Sequence, residues 1–201
     1  MWVITAAFLL FQINSIFPAT NEYIDTLNTN ESCSSVSESA VSQCMAPILK
    51  YSATVEKTTP QSLKTFRELC TLYSKFEKCT DSITCRSVSK QGIDASYKYM
   101  CGDGFQVFEK HANCFAEVET KNEYLECKNT ATAEIEKLAV FRNKEQKKYF
   151  NGLCKVMKRY LKCCRPHVIT KCGRDAWSLV ARITDDSLGV TMPECNVKSS
   201  L

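Results

Sequence analysis

No Cys-x2-Cys pair occurs in the chain, and its only two histidines, His111 and His167, lie far apart. Zinc ribbons and zinc fingers need such close ligand pairs, so both are excluded for a sequence that holds 13 cysteines in 201 residues. Also missing are a serine elbow, a paired-carboxylate motif, a phosphate loop and a cysteine-protease signature, so no residue is assigned a catalytic, cofactor or metal role. His111 reads as a partly buried or surface histidine. Apolar residues nowhere alternate with period two over the length of a strand. Equal-length internal repeats are not visible, and no second long apolar run follows the one at the amino terminus.

With metal chemistry set aside, disulfides are the default for so many cysteines, and they belong to an oxidising compartment. The amino terminus agrees. Trp2 to Ile13 is an apolar run of signal-peptide length, too short to cross a bilayer, with Ser15 and Ala19 suited to cleavage after it. No Lys or Arg precedes that run, and a membrane anchor is the alternative. The expected organisation is a signal peptide over residues 1–19 and a polar leader over 20–32. A helical cysteine-rich domain over 33–195 and a tail over 196–201 follow. The leader holds the one glycosylation acceptor, Asn30-Glu31-Ser32.

What is present is helical periodicity. Val36, Ala40, Val41, Cys44 and Ile48 share one face of a first helix that Pro47 kinks or ends. Thr59-Pro60 signals a second start, followed by the stripe Leu63, Phe66, Leu69, Cys70, Tyr73 and Phe76. A weaker segment leads to Tyr99 and breaks at Cys101-Gly102-Asp103-Gly104. Phe105, Phe108, Ala112, Phe115 and Val118 form another stripe, and a long pattern ends near Asn143. Phe150, Leu153, Cys154, Met157, Leu161 and Cys164 line a further helix that Pro166 stops. Cys172 then opens a last apolar pattern, a helix from about Lys171 to Ile183, and Met192-Pro193-Glu194-Cys195 ties the carboxyl end back. The fold class expected is all-α, a disulfide-stapled bundle of five to seven helices in one domain.

Twelve cysteines make six bridges and leave one over; sequence does not choose the partners. Cys33 and Cys44, about 16 Å apart along an intact helix, reach different neighbours. The adjacent pair Cys163-Cys164 is the source of the leftover, because neighbours on a helix diverge by about 100°. Cys164 faces the core and Cys163 faces away, so Cys163 is the expected odd thiol, free or bonded to a second chain. Cys33, Cys44, Cys70, Cys79, Cys85, Cys101, Cys114, Cys127, Cys154, Cys164, Cys172 and Cys195 are then the bridged set.

Charge is uneven. From Arg142 to Arg174 eleven Lys or Arg stand against the single Glu145, whereas four carboxylates precede the first lysine, Lys50. Lys155, Lys158, Arg159 and Lys162 would face water between the apolar positions, a surface suited to a sulfated glycan, acidic lipid headgroups or an acidic protein. A solvated helix face is the bland alternative. Nucleic acid is disfavoured by the compartment.

Two resemblances attach to particular residues. Cys163-Cys164-Arg165-Pro166-His167 resembles the Cys-Cys-x-x-His of secreted phospholipases A2, and Tyr97 to Gly104 is similar to their calcium loop. Three departures count against that enzyme. Val168 stands where the family's calcium-holding aspartate follows the histidine, the loop lies about sixty residues too early, and Phe105 replaces a glycine. The second resemblance covers about Cys33 to Cys195. The Leu153-Cys154 to Tyr160-Leu161-Lys162-Cys163 segment, Cys172-Gly173-x-x-Ala176-Trp177 and Pro193-x-Cys195 resemble a nematode family of secreted cysteine-rich domains of unknown function. That resemblance implies secretion, a helical disulfide fold and no established activity. The function expected is an extracellular binding or interaction module whose partner is a protein, glycan or lipid. A carrier of a lipid or small apolar ligand is the alternative.

Overall fold

The computed structural model describes residues 32–58 and 62–201. Among the described residues are seven α-helices and no strand. They are α1 (Ser35–Thr58), α2 (Leu63–Thr80), α3 (Val88–Cys101), α4 (Phe105–Val118), α5 (Asn122–Leu138), α6 (Gln146–Cys172) and α7 (Arg174–Thr191). Short 3-10 turns follow α5 (Ala139–Phe141) and close the chain (Lys198–Ser200). The expected leader and the Thr59-Pro60 start lie outside the described residues. α2 begins instead with Ser62 as N-cap, its hydroxyl accepting from the Thr65 amide at 3.3 Å.

Neither proline ends its helix, contrary to the stop expected at Pro166 and to one of the two outcomes, a kink or an end, expected at Pro47. α1 runs through Pro47 and α6 through Pro166. Each ring sits on the exposed face, so the carbonyl it frees, of Gln43 or Lys162, can bond to water. Meanwhile buried Ile48 and Val168 hold the chain just beyond each ring. Val36, placed on the buried face from its spacing, is 77% exposed, because the apolar packing of α1 starts at Val41 and its first turns meet the fold through polar contacts such as Ser87 donating to Glu38 at 3.0 Å. The real break near the end of α6 is Gly173, whose φ of 90° and ψ of 172° suit glycine alone. Cys172 therefore ends α6, and the last helix starts at Arg174 and continues past Ile183 to Thr191. A Gly173→Ala chain should lose about 1–3 kcal/mol in urea unfolding from backbone strain, since nothing lies near enough to clash with the new methyl.

Six bridges pin the helices. Cys33–Cys85, Cys44–Cys79 and Cys70–Cys101 lie in the first half; Cys114–Cys172, Cys127–Cys163 and Cys154–Cys195 lie in the second. No bridge crosses between halves, and in each half the first cysteine pairs with the fifth, the second with the fourth and the third with the sixth. The chain is an internal duplication, which inspection for equal-length repeats misses because the later gaps are longer in the second copy. Superposing Cys70 and Cys79 on Cys154 and Cys163 brings Phe66 onto Phe150, Leu69 onto Leu153 and Lys78 onto Lys162. Tyr73, Phe76 and Thr80, all buried in α2, fall on Met157, Tyr160 and Cys164, all buried in α6. The hairpin α1–α2 thus corresponds to α5–α6, and α3 to α7.

The two units meet through these equivalent third helices. Where α3 and α7 touch, the buried Ser96 and Ser187 hydroxyls lie 3.4 Å apart. α4 bridges the units, with Phe108 stacked on Phe66 of α2 at 3.5 Å between ring centroids and on Phe115 at 5.9 Å. One continuous apolar core results. The chain after Cys195 joins it: Val197 is fully buried, and the Trp177 indole N–H donates to the Leu201 carbonyl at 2.7 Å.

Candidate functional site

The second hairpin carries the basic segment. α6 buries the stripe Tyr149, Leu153, Val156, Met157, Tyr160, Leu161, Cys164 and Val168. α5 lies antiparallel along one flank. Leu138 packs on Gly152, Glu134 accepts from Arg159 at 2.6 Å, and Cys127 bonds to Cys163. This flank decides what becomes of the predicted basic face. Arg159 turns toward α5, and its charge is offset by Glu134. Lys155, Lys158 and Lys162 stay on the outward side with Arg165, and none of these four makes an ion pair among the described residues. From Lys155 to Arg165 the row spans about 15 Å of helix.

At the amino end of α6 the row runs into an open groove of about 640 Å³. Leu138 and Phe141 supply its apolar wall, while Lys147, Lys148 and Lys155 stand around it. The Lys148 ammonium lies 3.7 Å from the Phe141 ring centroid and 3.4 Å from a Glu145 carboxylate oxygen. Gly152 lets the two helices close up, since a Cβ there would stand 2.6 Å from a Leu138 methyl.

The adjacent cysteines reverse their expected roles. Cys163 is not the odd thiol: it is bonded to Cys127, and Cys164 is the unbridged one, fully buried. The inward and outward directions are as the spacing implies, but bridging happens on the flank. Cys127 approaches Cys163 from the side at a Cα separation of 5.8 Å, whereas Cys164 points into the core. There it occupies the place that Thr80 holds in the first unit, and its thiol is in hydrogen-bond contact with the Tyr160 phenol. Beside it the Tyr124 and Tyr160 hydroxyls lie 3.0 Å apart. Burial pushes the Tyr124 phenol well above its ordinary range, and Tyr160 and then Cys164 add to the effect. Burial followed by Cys164 does the same for Tyr160.

Residues 33–196 match the model of the family described as Domain of unknown function (DUF19). The chain belongs to this family. Among relatives, the uncharacterized protein ZK370.6 of Caenorhabditis elegans is 34% identical over 82 residues, 40% of this chain and 50% of that protein. The chain thus spans about half the length of the curated relative it matches. No solved structure matches the chain. The nematode resemblance read from the cysteine spacing therefore stands, and the DUF19 match brings no catalytic residue with it.

Within the DUF19 domain the phospholipase-like residues sit apart in role. Cys101 is bonded to Cys70, and the following glycines form the tight α3–α4 turn, where a Cβ on Gly104 would stand 2.9 Å from Tyr99. His167 is half-buried on α6, and Val168 beside it is core. Among the described residues no three or more His, Cys, Asp or Glu side chains are grouped to hold a metal ion, and no helix is long and apolar enough to cross a membrane. Asn30 lies outside the described residues. The groove was not anticipated from sequence; the signal available was Gly152, a glycine inside a strongly periodic helical pattern.

Proposed function

We propose that this DUF19 chain is a secreted interaction module that docks a linear extracellular polyanion, a sulfated glycan, along the outward face of α6. The observation that carries the reading is the row Lys155, Lys158, Lys162 and Arg165, regularly spaced on one helix and without ion pairs among the described residues. A cationic row of this kind raises the local concentration of a polymer whose charges repeat along its length. The six bridges support an extracellular setting, because disulfides persist where the medium is oxidising. They also hold the row rigid, so docking orders only side chains.

Chromatography on immobilised heparin tests the reading. The protein should be retained at physiological ionic strength and elute as salt screens the row. The triple variant Lys155→Glu, Lys158→Glu, Lys162→Glu should pass through unretained. Its stability should stay within about 0.5 kcal/mol of the parent, as exposed substitutions generally do. Flow-through of the parent protein, or equal retention of the variant, would rule the row out as a docking surface.

A further inference from the structure

The groove at the amino end of α6 shares Lys155 with the polyanion row but adds an apolar wall that the row lacks. We propose that it binds a free single-chain anionic amphiphile, with the alkyl chain along Leu138 and Phe141 and the anionic head at the first turn of α6.

Three independent features converge on that occupant. The wall is mainly apolar, which a sulfated sugar would not exploit. Around it stand Lys147, Lys148 and Lys155 against one carboxylate, Glu145, so the rim is complementary to a negative head. The first turn of α6, whose N-cap makes no side-chain cap bond, lines the same groove, so the positive end of the helix dipole lies close to it. Lys148 is already held between the Phe141 ring and Glu145, and an incoming carboxylate would take over the contact that Glu145 makes.

The duplication supplies an internal comparison. The position equivalent to Gly152 in the first unit is Glu68, and the position equivalent to Asn151 is Arg67, which pairs with Glu109 at 2.6 Å. The first unit thus carries exposed, long charged side chains at the two positions where the second has Asn151 and Gly152. The groove's volume lies within the range of small-ligand sites. Because one side is open, the bound chain keeps a solvated edge. The site is therefore a surface seat, unlike the enclosed chamber of a carrier.

Isothermal titration of the full chain with monomeric laurate, and separately with dodecanol, tests the assignment. The expected result is saturable binding of one laurate per chain. Lys147→Ala combined with Lys148→Ala should weaken laurate about tenfold, the cost of losing a charge-assisted contact, and leave dodecanol unchanged. Asn151→Trp, at an exposed groove position, should block laurate while its thermal unfolding matches the parent. Equal effects of the lysine changes on laurate and dodecanol would overturn the head assignment, and full binding by Asn151→Trp would overturn the site. Retention on phosphatidylserine vesicles without any binding of monomeric laurate would make this a membrane-docking surface and overturn the proposal. A Lys158→Glu, Lys162→Glu chain should bind laurate normally, so loss of the glycan reading and loss of this one remain distinguishable.

Discussion

Replacing Cys163 with serine should destabilise the protein by about 4 kcal/mol, while replacing its neighbour Cys164 with threonine should change stability by less than about 1 kcal/mol. The first figure follows from the loop the Cys127–Cys163 bridge closes, 36 residues in separation, using the chain-entropy relation for the unfolded state. Truncation also leaves the Cys127 thiol, 4% exposed, unpaired against α6. The second figure follows from the duplication: threonine is what the first unit places at the equivalent buried site, where Thr80 bonds back to the Phe76 carbonyl at 3.0 Å. Urea unfolding of both variants gives the energies. Thiol titration gives the assignment, with one reactive thiol in the parent only after denaturation and none in Cys164→Thr under any condition. Peptide mapping that found Cys127 bonded to Cys164 in the parent would reverse both expectations.

How much of this was legible in the sequence varies with the range of the force involved. Helix α4 could be read almost residue for residue, because Phe105, Phe108, Ala112, Phe115 and Val118 repeat at helical spacing and a glycine pair precedes them. Pro166 does not stop its helix, and Pro47 does not end its own, because local backbone preference is set against packing on both sides of each ring, and packing prevails. The odd thiol misled for a geometric reason. A stripe analysis separates inside from outside, but bridging needs a neighbour on the flank, and which flank α5 occupies is a tertiary fact. The duplication was within reach: Phe-x-x-Leu-Cys ending in Lys-Cys occurs in both α2 and α6. It was hidden by unequal loops after the fourth cysteine. The groove was not legible, because it depends on the Leu138 end of α5 meeting the one α6 position that lacks a side chain.

The duplication also explains why the candidate sites lie in one half. The two units share the residues that build a hairpin and a core, so those positions answer to stability. Where the units diverge at exposed positions of the middle helix, stability makes no demand, and a different cause must be sought. Lys155 and Lys158 in α6 stand where α2 has Thr71 and Ser74. The divergence coincides with the outward row and the groove rim.

Alkaline unfolding should be steep. Tyr97, Tyr124 and Tyr160 are buried, and desolvation is the first cause raising each phenol above its ordinary value. Tyr73, bonded to Asp94 at 3.0 Å, is pushed the same way by burial and by that carboxylate. In the unfolded chain these phenols ionise near pH 10, whereas in the fold they keep their protons. The folded state therefore binds more protons above that point, and stability, complete below about pH 10, falls as pH rises further. For these four phenols the slope is about 5.4 kcal/mol per pH unit. Tyrosinate absorbance and helical circular dichroism should change together in one narrow transition. A Tyr124→Phe, Tyr160→Phe chain should show a slope nearer about 2.7 kcal/mol per unit, since Tyr73 and Tyr97 remain. Smooth ionisation of every tyrosine with the helical signal intact would mean that the core admits hydroxide, and the packing around Cys164 would then be looser than its fully buried position requires.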